Sequence, residues 1–171
     1  MTPTARVVLG MIRLGRKTGY EIKQLVDVSA RFFWNASYGQ IYPELKRLES
    51  EGLIRGEDAA TNGRARRAYE LTPDGERALD EWLRSGETPL FETRDEGMLK
   101  LFFSDSMSAE EKRALVRSMK ARHDEVVARL REIEPVVRER GGGPYDVLRY
   151  GLAFHEFCSD YLGQLEREAV T

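Results

Sequence analysis

Ser37-Tyr38-Gly39-Gln40-Ile41-Tyr42-Pro43-Glu44-Leu45-Lys46-Arg47-Leu48-Glu49-Ser50-Glu51-Gly52 opens on a capping-box pattern and closes on a glycine suited to a helix C-terminus. Between these signals Ile41, Leu45 and Leu48 fall on one side of a helix. Gly39, Gln40, Pro43, Lys46, Arg47 and Ser50 are then turned outward, with Tyr38 and Tyr42 flanking that outer face. Tyr42 stands close enough to the inward stripe to read either as core or as contact. Pro43 removes the amide that would bond to Gly39, which predicts a local distortion and not an end, because the inward stripe continues past it.

Two helices precede this one. Residues 4–14 carry Ala5, Val8, Leu9 and Ile12 at helical spacing. A break at 15–17 leads to a second capping box, Thr18-Gly19-Tyr20-Glu21, which starts a helix with Ile22, Leu25 and Val26 inward and Tyr20, Lys23 and Gln24 outward. After helix three the period changes. Residues 53–71 read as a β-hairpin around Asn62-Gly63, with Tyr69 and Leu71 on one face and Arg64 and Arg66 on the other. Thr72-Pro73 then launches a fourth helix whose apolar face is Ala78, Leu79, Trp82 and Leu83. Helix, helix, helix, hairpin, helix is the order of a winged helix-turn-helix.

The pattern lapses from Ser85-Gly86 to Pro89, dividing a winged unit, 1–86, from a helical unit, 87–171. Phe91, Met98, Leu99, Leu101, Phe102 and Phe103 predict one apolar helix, and Ser108-Ala109-Glu110-Glu111 caps a long one. Along the long helix Leu115, Met119, His123 or Arg122, Val126, Leu130, Ile133 and Val137 recur at a mean of ~3.7 residues, wider than a heptad seam. Pro135 predicts a kink or an early end. Gly141-Gly142-Gly143-Pro144 interrupts the chain before a last helix over 145–168. That helix has two apolar stripes. One is Val147, Tyr150, Phe154, Phe157 and Tyr161; the other, Leu148, Leu152, Cys158, Leu162 and Leu165, is assigned here to a partner subunit, since one stripe suffices for packing within the chain.

Composition narrows the function classes. The 171 residues are 41% hydrophobic and 33% charged, with no apolar run near the ~20 residues that cross a bilayer, so neither a membrane protein nor a disordered chain is expected. The first residues lack a secretory signal pattern, and one cysteine forms no internal disulfide, which together predict a cytoplasmic protein. Two histidines and one cysteine exclude His/Cys-rich zinc sites, and no GxGxxG or GxxxxGK[ST] phosphate cradle is present. No enzyme, cofactor or metal is expected. Net charge is −2, yet residues 1–67 hold 12 Lys/Arg against 7 Asp/Glu, and 68–171 hold 15 against 22. A basic front and an acidic rear imply a division of labour.

The outer face of helix three fits duplex DNA. Base edges in the major groove are reached from the first turns of an inserted helix, here Ser37, Tyr38, Gly39, Gln40 and Tyr42, while Lys46 and Arg47 further along meet phosphates. Arg64 and Arg66 on the hairpin extend the footprint toward a minor groove, and Tyr20 and Lys23 add backbone contacts.

The run from Ser37 to Ile54, together with Thr18-Gly19-Tyr20-Glu21-Ile22 and Gly63-Arg64-Ala65-Arg66-Arg67-Ala68-Tyr69-Glu70-Leu71-Thr72-Pro73-Asp74-Gly75, resembles the PadR family of bacterial transcriptional regulators. The rear half, with Arg94-Asp95-Glu96, Lys100-Leu101-Phe102-Phe103 and Tyr150-Gly151-Leu152, resembles the longer helical C-terminal domain of one branch. The resemblance implies a homodimeric repressor on a pseudo-palindromic operator, released by a small aromatic molecule. Phe33 and Trp34, in the aromatic connector before helix three, are the candidate effector residues. Two alternatives stand beside it: a redox-responsive regulator using Cys158, with His155 three residues away, and a helical module that binds protein.

Overall fold

The computed structural model describes residues 1–27, 34, 36–61, 64–86 and 94–168, with backbone only for 59–61 and 64–66. The chain forms two compact units, Met1–Pro89 and Leu90–Thr171. The first contains α1 (Pro3–Arg13), α2 (Gly19–Leu25), α3 (Tyr38–Ser50), strands β1 (Ile54–Thr61) and β2 (Arg64–Leu71), and α4 (Pro73–Arg84). The second contains α5 (Glu96–Phe102), a single 3-10 turn (Ser104–Ser106), α6 (Ala109–Arg140) and α7 (Gly142–Glu168).

The first unit closes on one core. Ala5, Val8, Leu9 and Ile12 from α1 meet Ile22 and Val26, then Ile41, Leu45 and Leu48 from α3, with Ile54, Tyr69 and Leu79 completing it. The boundaries follow the capping chemistry. At Thr18 the hydroxyl accepts from Glu21 N–H (3.2 Å) while the Glu21 carboxylate accepts from Thr18 N–H (3.0 Å) and Lys17 N–H (3.0 Å), and the amides donated to the carboxylate, Thr18's above all, hold it below its ordinary range. Gly52 ends α3 in the left-handed region at φ +72°, where a side chain would strain the backbone. Strands β1 and β2 pair antiparallel from Ile54 opposite Leu71 to Thr61 opposite Arg64, and the predicted Asn62-Gly63 turn lies outside the described residues. Gly75 lets α4 approach the wing closely, since a Cβ there would lie 2.0 Å from the Leu53 carbonyl oxygen. Leu83, predicted on the inward face of α4, is instead exposed.

The second unit is a helical hairpin of α6 and α7, with α5 against α6. Three expectations change here. Helix α6 runs through Pro135 to Arg140, so the proline, which is exposed, does not end the helix early. Its buried positions Val116, His123 and Leu130 recur every seven residues, so the seam has heptad spacing and not the wider step expected. Helix α5 spans only Glu96–Phe102, capped by Asp95, and its apolar side chains Met98, Leu99 and Phe102 are exposed along with Phe103; Phe91 lies outside the described residues.

The fourth correction concerns the stripe assigned to a partner. Leu148, Leu152 and Leu162 are buried within their own unit, and Cys158 and Leu165 are half-buried. The aromatic stripe is the one left in solvent: Val147, Tyr150, Phe154, Phe157 and Tyr161 are 42 to 67% exposed. The physical reason is size. Two helices approach closely where leucines alternate with small residues, as at Gly151, whose added Cβ would stand 3.3 Å from Leu130 Cδ1, and bulky rings are displaced outward.

Candidate nucleic-acid interface

The polar face of α3 is presented as its periodicity requires. Ile41, Leu45 and Leu48 are fully buried, which forces Ser37, Tyr38, Gly39, Gln40, Tyr42 and Lys46 into solvent together. Lys46 has no ion pair among the described residues. Its ammonium is therefore available to an external anion, and the positive end of the α3 dipole lies on the same exposed strip.

The remaining predicted residues are more constrained than helical geometry alone implied. Gln40 folds back onto the helix start, where its side-chain oxygen accepts from Ser37 N–H (2.9 Å) and Ser37 Oγ (3.2 Å). Arg47 is half-buried and committed: Nη2 lies 2.5 Å from Glu44 Oε1, and Nη1 pairs with Glu51. Glu44 also accepts from the Thr2 hydroxyl at 2.7 Å, and the Arg47 guanidinium holds the Glu44 carboxyl below its usual range. The spacing Glu44, Arg47, Glu51 carries that signal, because residues three and four apart on a helix are neighbours. Arg47, expected to meet phosphates, is thus paired with Glu44 and Glu51 in the DNA-free chain.

Lys23 is paired in the same way. Its side chain is only 14% exposed; the ammonium pairs with Asp27 and sits 5.8 Å from the Tyr38 ring centroid. Tyr38 stacks on Tyr42 at 6.0 Å and 21°. Tyr42 leans on Gly19, where an added Cβ would lie 2.8 Å from its ring. Both readings of Tyr42 hold in part, since one edge packs against α2 while the side chain stays exposed. Cation and stacked rings thereby fix the start of α3 against α2. Tyr20 is exposed, and its hydroxyl accepts from Gln24 at 2.9 Å.

On the wing, Arg64 and Arg66 occupy β2 opposite Thr61 and Ala59, and their side chains lie outside the described residues. Sequence reasoning missed Arg67. Its Nη2 reaches Glu49 Oε1 of α3 at 2.5 Å and its Nη1 reaches Asp58 Oδ1 at 2.9 Å. The signal was parity, since Arg67 shares the face of Tyr69 and Leu71, which points to the body of the unit. Of the candidate effector residues, Trp34 is exposed and Phe33 lies outside the described residues.

In the rear unit His123 and His155 bring their Nδ1 atoms within 2.8 Å across the α6–α7 seam. Burial lowers both imidazoles, His155 to about 4, with the neighbouring His123 as the second cause. Burial pushes the Cys158 thiol up, which leaves less thiolate for the redox alternative. Among the described residues no group of three or more His, Cys, Asp or Glu side chains is placed to hold a metal, and no helix is long and apolar enough to cross a membrane.

Comparison with known proteins matches the geometry of both units. Residues 8–81 match the model of the transcriptional regulator PadR-like family, and residues 93–168 match that of the virulence activator alpha C-terminal domain. The negative transcriptional regulator PadR of Bacillus subtilis is 37% identical over 106 residues, 61% of this chain and 58% of that protein, so the aligned stretch spans under two thirds of this relative. The structure of Bacillus subtilis PadR in complex with operator DNA superimposes with a TM-score of 0.89 at 26% identity, covering 99% of this chain and 98% of that one. The structure of the same protein in complex with p-coumaric acid gives 0.78 at 25% identity, covering 100% and 99%. A winged unit matched by the PadR-like family model is followed by a helical unit matched by the virulence activator alpha C-terminal model, so this chain joins a PadR-like transcriptional-regulator domain to a C-terminal domain of the virulence-activator type.

Proposed function

We propose that this chain is a homodimeric transcriptional repressor that binds a pseudo-palindromic DNA operator and is released by a small aromatic effector. The observation that carries the reading is the single exposed strip on α3, with Lys46 unpaired among the described residues beside Ser37, Tyr38, Gly39, Gln40 and Tyr42. The likeness to a PadR bound to operator DNA supports placing that strip in a major groove. Tyr20, Arg64 and Arg66 are assigned the flanking contacts to the DNA backbone and the adjacent minor groove. The domain division at about residue 86 separates this DNA-reading unit from a pairing unit.

The exposed aromatic stripe of α7 supports the dimer. Stacked pairs Tyr150–Phe154 and Phe157–Tyr161 leave a contiguous apolar surface of the kind that marks a protein contact. Two copies held by that stripe would present two α3 helices to half-sites about one helical turn, roughly 34 Å, apart. The likeness to PadR with p-coumaric acid supports a planar aromatic acid as effector, with Trp34 as the reporter.

The test is selection of duplexes from a random-sequence pool by the purified chain. An inverted-repeat motif whose binding falls steeply with salt is the expected result, and recovery of no motif would refute the reading. Added p-coumaric acid should release the selected duplex and quench tryptophan fluorescence, with the quench lost in Trp34→Phe.

A further inference from the structure

The wing leaves the body of the unit at Ile54 and Tyr69, both buried, and one ion cluster ties it to α3 beyond that level. Glu49, in the last turn of α3, accepts at Oε1 from Gly56 N–H (3.1 Å) and from Arg67 Nη2 (2.5 Å), and at Oε2 from Arg67 Nε (3.2 Å). Arg67 is also bonded to Asp58 directly across the hairpin. One carboxylate of the reading helix thus grips both strands of the wing, β1 through its backbone and β2 through a two-pronged guanidinium. Such a fork fixes direction as well as distance. Gly56 makes room for it: a Cβ there would lie 2.5 Å from Arg67 Nε and 2.6 Å from Glu49 Oε1.

We propose that Glu49 is a positioning residue for operator reading, which acts through Arg67 and the Gly56 amide to set the pose of the wing against α3 and so to hold helix and wing in register on adjacent grooves. The proposal rests on the operator-binding reading above. It makes a prediction opposite in sign to simple electrostatics. Removing the negative charge of Glu49 from a DNA-facing unit should strengthen binding if charge alone mattered. A positioning role requires the reverse.

The experiment uses the intact chain and a duplex it has selected from a random pool. Glu49→Ala and Gly56→Ala are compared with the parent by titration, by hydroxyl-radical footprinting of the flanks and by methylation protection of guanines in the major groove. Gly56→Ala displaces the cluster without altering charge. Each variant should bind roughly fivefold more weakly, the factor that a modest local contact supplies. Flank protection should fade while guanine protection at the centre of each half-site persists, with melting temperatures unchanged. The exchanged pair, Glu49→Arg with Arg67→Glu, should regain part of the flank protection. Parental or tighter affinity in Glu49→Ala, or loss of flank and central protection together, overturns the proposal. A parent that selects no duplex overturns the operator reading itself, and this inference with it.

Discussion

The two units treat their apolar residues in opposite ways. In the front unit Leu9, Ile22, Ile41, Leu45, Leu48, Ile54 and Leu79 are wholly buried, drawn from every element except β2, which adds Tyr69. In the rear unit two long helices bury a narrow seam of leucines and leave Phe102, Phe103, Tyr150, Phe154, Phe157 and Tyr161 in solvent. A module that satisfies its own core can spend its surface on reading a ligand. The rear unit leaves one face of α7 uncovered among the described residues, and its rings stand there in solvent. Both tryptophans, Trp34 and Trp82, belong to the front unit, so tryptophan fluorescence follows it separately from the helical signal of the whole chain.

The contrast breaks most severely at the shared core. Leu45→Ala removes a fully buried side chain that joins α3 to α1 and α2, and should destabilise the front unit by about 3 kcal/mol. Urea unfolding followed by tryptophan fluorescence should show this as an earlier transition. A shift of under a few tenths of a kcal/mol would mean that the front core is not the cooperative unit described.

The rear unit should respond to changes on its surface. Phe157→Glu with Tyr161→Glu places charge on exposed rings and leaves the buried seam alone, so the fold should persist while pairing weakens by about 2 kcal/mol or more. Light scattering across a dilution series would register monomer where the parent is dimer. An unchanged mass at all concentrations would place the interface elsewhere.

Acid sharpens the comparison further. His155 is held at about 4 in the folded chain against an ordinary 6.5, and His123 is lowered as well, both chiefly by burial, with Arg122 opposing protonation and Asp95 and Asp124 partly favouring it at His123. A lowered histidine takes its proton more readily unfolded than folded. Its contribution is therefore fully present above about 6.5 and is lost as pH falls toward 4. Rear-unit stability should decline through that window, and His155→Phe should flatten the decline. Equal pH profiles for parent and variant would remove the seam histidines as its cause.

The smallest effect falls on the surface of the front unit. Lys46→Ala should leave stability unchanged, weaken binding to all duplexes alike and lower the salt slope by about one. Arg47→Ala should behave differently, disturbing the Glu44 and Glu51 contacts before it alters DNA affinity. If both substitutions gave the same salt slope, the distinction drawn between a free and a committed cation would fail.

Much of this was legible before any coordinates. Capping boxes at Thr18, Ser37 and Ser108, the glycine stop at Gly52 and the inward triad Ile41, Leu45 and Leu48 are local signals, because each depends on residues three or four apart along one helix. The outward strip of α3 followed from the same periodicity. What failed were decisions between neighbours. Periodicity shows that α7 has two apolar stripes, but the choice of which faces α6 depends on how closely two backbones approach, and leucines opposite glycine won over rings. Likewise, side chains that helical geometry turns outward still find partners, as Arg47, Lys23 and Gln40 do.

Sequence alone thus determined the order of elements, the capped starts of α2, α3 and α6 and the face α3 offers, since backbone hydrogen bonding and helical pitch act over a single turn. Tertiary structure alone decided which stripe of α7 is core, which cations remain unpaired and that Glu49 reaches both strands of the wing. Those outcomes depend on distances between residues far apart in the chain, which no local pattern encodes.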